Sequence, residues 1–246
     1  MSVENFALAA GNEQKLKVTG RQQKDPALEF QTAPRIQDAV TATIEKKVLL
    51  WLAARIPSWI NSDHLTLLGF ASMCLACASY VLARYDRGGL LLATVCLALN
   101  WFGDSLDGTL ARVRNRQRPR YGFYVDHIID SIGALLLMGG LAASGFLDAR
   151  IAMGMLVAFL LLSIETYLAT YTIGTFRMSF WKFGPTEIRI LLSLGNITLW
   201  FRPEAKVPLA GYRLFDFGGI AAIAGMTVML LIAVARNTAK LYRQGF

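Results

Sequence analysis

The chain is poor in cysteine, and its three, Cys74, Cys77 and Cys96, all sit in apolar runs. Cys74 and Cys77 form a C-x-x-C with no second Cys/His pair. That pattern excludes a zinc finger and a disulfide framework and leaves packing as their role. Residues 1–35 lack the apolar stretch behind a basic start that marks a secretory leader, so a polar cytoplasmic tail is expected there. No zinc-finger or basic-zipper pattern accompanies the net charge of +8. A nucleic-acid partner is therefore not expected. Present instead are long apolar stretches. The chain is 54% hydrophobic, against about 45–50% in soluble domains, and its mean hydropathy is +0.42.

Those stretches predict an all-α integral membrane protein with six transmembrane helices, at about 64–83, 89–111, 122–144, 150–174, 185–201 and 214–235. Each is near the roughly 20 residues that cross a hydrocarbon core. Glu187 and Arg189 lie near the start of the fifth. Ahead of the first, residues 36–60 mix Lys46, Lys47 and Arg55 with Val48, Leu49, Leu50, Trp51 and Leu52. This suits an amphipathic helix lying in the interface, ended near Pro57. The domain reading is a polar tail over 1–35, this interfacial helix over 36–60, a six-helix catalytic domain over 61–240 and a short tail over 241–246. Trp181 and Lys182 are expected as interface anchors.

Orientation follows from the asymmetry of Lys and Arg. Eighteen fall on the side that holds both termini, the run Arg112, Arg114, Arg116, Arg118 and Arg120, and the pair Arg177 and Lys182. Six fall on the other side. Both termini are expected in the cytoplasm.

Four aspartates, Asp104, Asp107, Asp126 and Asp130, lie at the cytoplasmic ends of the second and third spans. An ionisable residue near lipid is costly and by default functional. On helices, Asp104 and Asp107 share one face, and so do Asp126 and Asp130. Asp104, Asp107, Gly108 and Ala111 make one stripe, and Gly122, Asp126 and Asp130 a matching one. The small residues leave room for a ligand or another backbone. Facing carboxylates repel unless hard cations such as Mg²⁺ or Mn²⁺ sit between them. Arg112, at the end of the first stripe, can pair with phosphate through its planar fork. Two metals, an arginine and small residues suit a pyrophosphate, with one aspartate left as general base.

The pattern D-x2-D-G-x2-A-R-x9-G-x3-D-x3-D, from Asp104 to Asp130, resembles the signature of the CDP-alcohol phosphotransferase family at every fixed position. The likeness covers about residues 36–240. It implies transfer of a phosphoalcohol from a CDP-alcohol to an acceptor hydroxyl with release of CMP, in phospholipid synthesis. By motif position, Asp104, Asp107 and Asp126 would hold metal. Asp130 would be the general base and a second-metal ligand. Gly108, Ala111 and Arg112 would meet the nucleotide and pyrophosphate, and Gly122 would keep the pocket open. The family's Pro-Asn or Pro-Asp segment with a following Thr reads Ser62-Asp63-His64-Leu65-Thr66 here, with serine for proline, and puts Asp63 and Thr66 on the nucleotide side. His127 is a candidate for acceptor recognition. Glu165, Glu187 and Arg189 either form structural ion pairs or line the acceptor pocket. The resemblance also implies a membrane-lipid partner and a homodimer. The donor is CDP-diacylglycerol or a small CDP-alcohol. A prenyl-transferring membrane enzyme is the alternative, but its two acidic motifs are usually far apart, whereas these lie within 27 residues. An ion-coupled transporter is a third reading, without an evident inverted repeat to support it.

Overall fold

A computed structural model describes residues 35–36, 42–174, 176–177, 184–207 and 211–244. The polar tail up to residue 34, and Trp181 with Lys182, lie outside the described residues. The fold is all-helical apart from a two-residue parallel pairing of β1 (Arg35–Ile36) with β2 (Phe176–Arg177). Its helices are α1 (Ala42–Ala53), α2 (Ser62–Ala83), α3 (Gly88–Val113), α4 (Pro119–Ser144), α5 (Ala149–Ile173), α6 (Pro185–Phe201) and α7 (Leu214–Gln244).

Helix ends follow local chemistry. Gly88 N–H donates to Asp86 Oδ1 at 2.8 Å ahead of α3. Pro119 opens α4 where its missing N–H costs nothing. The Asp148 carboxylate caps α5 by accepting from Arg150 N–H at 2.8 Å. Gly145 and Gly174, at φ 80° and 71°, close α4 and α5 in the left-handed region that glycine tolerates.

Among the described residues, five helices, α2, α3, α4, α5 and α7, are long and apolar enough to cross a membrane. Their outward faces carry exposed aliphatic side chains such as Leu67, Leu75, Val95, Leu135, Val157, Leu161 and Leu231. In a soluble protein such a belt would be a liability; against lipid it is the expected surface. The expected fifth span is present as α6, but it is a helix of 17 residues. Gly184 and Pro185 set its start and Arg202 its end, and it falls short of the other five. Helix α7 continues beyond the expected end of its span, as one helix of 31 residues.

α2 and α3 cross with almost no side chain between them. A Cβ added at Gly103 would lie 2.5 Å from Leu65 O and 2.6 Å from Gly69 N. Close backbone approach through small residues is the usual way membrane helices pack without a hydrophobic drive. Gly103 is the residue before Asp104, so this crossing sets where the first carboxylate stands. Gly103→Val should push the backbones apart, lower the melting temperature of the detergent-solubilised protein by several degrees, and remove most activity. A thermal-shift series against Gly139→Ala, where an added Cβ meets nothing within 4 Å, measures this directly.

One core cluster joins Met73, Tyr80, Leu90, Leu97, Leu137, Leu141 and Leu199 from α2, α3, α4 and α6. Inside it, fully buried Asn196 accepts from Tyr80 Oη at 3.1 Å and donates to Thr94 Oγ1 at 3.2 Å. This ties α6 to α2 and α3 far from any water. A second cluster packs Leu49 and Ala53 of α1 on Leu65, Leu106 and Leu110. Helix α1 thus turns one apolar edge to the protein and leaves Ile44, Val48 and Trp51 exposed. Arg114 braces the turn after it by donating to the carbonyls of Ile56 (2.8 Å), Pro57 (3.0 Å) and Ile60.

Candidate active site

The i,i+3 and i,i+4 spacings put Asp104 and Asp107 on one face of α3 and Asp126 and Asp130 on one face of α4. All four line a single cavity. α2 closes it with Thr66, Gly69, Phe70 and Met73, α4 adds Ile129 and Gly133, and α6 contributes Arg189. Arg189 is the only basic side chain among the lining residues, and its Nη2 donates to Asp104 Oδ2 at 2.6 Å. The guanidinium is 15% exposed and the carboxylate 27%, so water screens the pair only partly.

Asp107 is tethered at three points. Thr66 Oγ1 donates to its Oδ2 at 2.5 Å, Gly108 N–H to its Oδ1, and Ser62 Oγ to its backbone carbonyl at 2.6 Å. The Ser-Asp-His-Leu-Thr segment therefore reaches the cluster directly, through Thr66 and through the serine that stands in the proline's place. A hydrogen bond to a charged group contributes about 1.5–3 kcal/mol. Thr66→Val, which keeps the shape and removes the donor, should therefore lower turnover by roughly tenfold or more. Steady-state rates with a melting curve on the same preparation check it.

The remaining candidates stand outside the cavity lining. Asp63 is half-exposed and pairs with Arg118 in the α3–α4 turn. Arg112 Nη2 donates to Thr109 Oγ1 at 3.0 Å, with Gly108 beneath its guanidinium. Gly122 faces open space: an added Cβ would meet nothing within 4 Å. Ala111 continues the Gly108 stripe one turn out. His127 Nδ1 lies 2.5 Å from Phe123 O, and its ring packs tilted on Phe123 and edge-on to Tyr167, with centroids at 4.1 and 4.6 Å. Glu187 Oε2 accepts from Gly184 N–H at 2.9 Å, closing the N-terminus of α6. Glu165 accepts from Asn237 at 2.6 Å. Of the three charges read as ion pairs or pocket residues, Arg189 forms an ion pair, with Asp104.

As they stand, no three Asp, Glu, His or Cys side chains among the described residues close into a metal-binding group. Arg189 engages Asp104, and Thr66 with Gly108 engages Asp107. The donor set itself suits a hard cation: four carboxylates around one cavity, against one guanidinium. Asn100, one helical turn deeper, adds a fifth oxygen-bearing side chain. Its Nδ2 donates to Gly69 O at 3.0 Å, while its buried Oδ1 has no hydrogen-bond partner. A buried acceptor left unpaired is uncommon and expects a donor or cation beside it.

A family model for CDP-alcohol phosphatidyltransferases matches residues 59–238, which takes in every wall of this cavity. The chain belongs to that family. CDP-alcohol phosphatidyltransferases are generally dependent on a divalent metal, in keeping with the donor set above. The chain is also 33% identical over 87 residues to the archaetidylinositol phosphate synthase of Methanothermobacter thermautotrophicus. The match takes in 35% of this chain and 42% of that relative, so the chain spans about two fifths of the relative's length. Membership accounts for the signature, but not for Asn100 or Glu45, a buried residue of α1. Neither belongs to it, and sequence reasoning missed both. Asn100 could have been found as the next member of the Asp104–Asp107 stripe; Glu45 carries no local signal.

Proposed function

We propose that the chain is a multi-pass membrane phosphotransferase that moves a phosphoalcohol group from a CDP-alcohol to an acceptor hydroxyl and releases CMP. The convergence of the four signature carboxylates on one cavity carries this reading. Family membership favours it over a prenyl-transferring enzyme or a transporter.

Asp104, Asp107 and Asp126, with Asp130 shared, are the residues to hold two ions of Mg²⁺ or Mn²⁺. When bound, the ions supply positive charge for the pyrophosphate. Gly108 and Ala111 let the donor approach α3 closely, and Arg112 presents its guanidinium to the phosphates. The acceptor oxygen forms a bond to the phosphorus of the phosphoalcohol. The bond from that phosphorus to the oxygen bridging to CMP breaks, and CMP leaves with the electron pair. Asp130 takes the acceptor's hydroxyl proton on a carboxylate oxygen. The apolar walls from Phe70, Met73 and Ile129 limit water as a competing acceptor.

Arg189 is the strongest of the three acceptor candidates, because it alone lines the cavity. A guanidinium favours an acceptor that bears a phosphate. The relative's name specifies an archaetidylinositol phosphate product, so an inositol phosphate leads the acceptor panel. The helix α6 is read as a sixth crossing, the termini and cavity mouth as cytoplasmic, and the working unit as a homodimer. A matrix of CDP-diacylglycerol and small CDP-alcohols against inositol phosphate, glycerol phosphate, serine and diacylglycerol tests the function in liposomes with Mg²⁺ or Mn²⁺. One pair should give CMP and a lipid product in equal amounts. Pyrophosphate release from a prenyl donor, or metal-independent flux without CMP, would replace this reading with one of the two alternatives.

A further inference from the structure

Glu45, in the interfacial helix α1, is buried, yet it forms no ion pair among the described residues. Its Oε1 accepts three hydrogen bonds: from Trp101 Nε1 at 2.8 Å, Ser105 Oγ at 3.2 Å and Thr186 Oγ1 at 2.9 Å. Trp101 and Ser105 are on α3, and Thr186 is in the first turn of α6. One carboxylate oxygen therefore joins three helices. Ser105 follows Asp104, and Thr186 precedes Arg189 by three residues, on the same side of α6. The knot thus lies next to the two residues whose 2.6 Å pair spans from α6 to the cavity.

Glu45 is not itself a member of the cavity. At about 100° per residue, Asn100, Asp104 and Asp107 share one face of α3. Trp101 and Ser105 point roughly a quarter-turn away. The carboxylate holds α3 on its flank while Arg189 holds it at the cavity face.

We propose that Glu45 is a positioning residue. It fastens the start of α6 to α3 and so sets the reach at which Arg189 meets Asp104. The interfacial helix is then part of the site's framework as well as a contact with the membrane surface. A carboxylate is suited to the task because one oxygen can accept several donors at once. The glutamine amide oxygen, an acceptor with two lone pairs, can keep most of these bonds, the Thr186 leg among them.

The effect on turnover rests on the transferase reading; the effect on α6 does not, and the experiment separates them. Full-length protein in liposomes is compared as wild type, Glu45→Ala, Glu45→Gln, Thr186→Val and Trp101→Phe. Displacement of a positioning group by about 1 Å can cost roughly 10²-fold. Glu45→Ala should therefore lower kcat at least about tenfold, with KM for the CDP-alcohol within about twofold. Thr186→Val, which cuts only the α6 leg, should reproduce most of that loss, whereas Trp101→Phe should not. Glu45→Gln should restore most of it. Amide hydrogen exchange over residues 185–192 should quicken at least about tenfold in Glu45→Ala and Thr186→Val and stay near wild type in Glu45→Gln. If the wild type makes no CMP from any CDP-alcohol, the transferase reading fails and the exchange arm alone decides the proposal. Unchanged exchange at the start of α6, a loss of melting temperature with kcat intact, or equal losses in Glu45→Gln and Glu45→Ala would each overturn it. Should Glu45→Ala not fold, Thr186→Val and Glu45→Gln carry the same comparison.

Discussion

Asp130→Asn is expected to lower kcat for CMP release by about 10²–10⁴-fold, the range that general-base catalysis contributes. The carboxamide has the volume and outline of the carboxylate, so the packing of Asp130 beside Ile129 and Gly133 survives. What is lost is an oxygen able to take the acceptor's proton. On the proposed assignment KM for the CDP-alcohol should move little, because the outer turn of α3 would meet the donor and Asp104, Asp107 and Asp126 would still hold the ions that Asp130 shares. Initial rates at saturating donor and acceptor, with Mn²⁺ binding followed by electron paramagnetic resonance, measure both halves. A retained rate with normal metal binding would remove Asp130 from the base role and pass it to another group on the cavity wall.

Asp107→Asn has the second large effect, and of a different kind. This side chain is fixed on both oxygens, by Thr66 and by Gly108 N–H, and its backbone is held by Ser62. Such tethering is what keeps a metal ligand in place before the metal arrives. A metal held between substrate oxygens supplies several kcal/mol of transition-state stabilisation. Its loss is expected to cost about 10³-fold in kcat/KM. Unlike Asp130→Asn, the variant should also need at least about tenfold more Mg²⁺ or Mn²⁺ for half-maximal rate. A metal titration of the residual activity distinguishes the two. An unchanged half-saturating concentration would make Asp107 a structural carboxylate, held for its hydrogen bonds with Thr66 and Ser62.

Much of this site was legible because its chemistry is local. Asp104 with Asp107, and Asp126 with Asp130, are each within about one helical turn, so spacing alone puts each pair on a face. One short turn between α3 and α4 then brings the faces together. The partners that complete the cavity were not legible as partners. Arg189 reaches Asp104 across 85 positions and Thr66 reaches Asp107 across 41. Only the helix packing fixes those contacts. Glu45 is the extreme case, bonded to a threonine 141 positions away. His127 and Glu187 show the converse. Both looked like ligand groups by residue type. Each makes a local contact instead of lining the cavity, His127 with Phe123 O one turn back and Glu187 with the N-terminus of α6.

The fold divides in the same way. Helix positions followed from hydropathy to within a few residues for α2 to α6. α7 ran further than its apolar stretch, because the segment from Arg236 to Gln244, with Arg236, Asn237, Lys240, Arg243 and Gln244, continues the helix. Hydropathy reads where lipid ends, and a helix can continue into water. The charge and apolar mix of residues 36–60 pointed to a helix there, and one forms over Ala42–Ala53. That pattern did not show that Leu49 and Ala53 would face the protein instead of lipid.

The central claim is that the cavity breaks the bond between CMP and the phosphoalcohol. The most direct measurement supplies a CDP-alcohol labelled with ³²P only at the phosphate next to the alcohol, together with the acceptor chosen from the panel, in liposomes with and without Mg²⁺. The account predicts that the label passes wholly into the acceptor product, that CMP is released unlabelled in equal amount, and that chelation stops both. Label in inorganic phosphate or pyrophosphate, or label retained in a nucleotide while product forms, would contradict it.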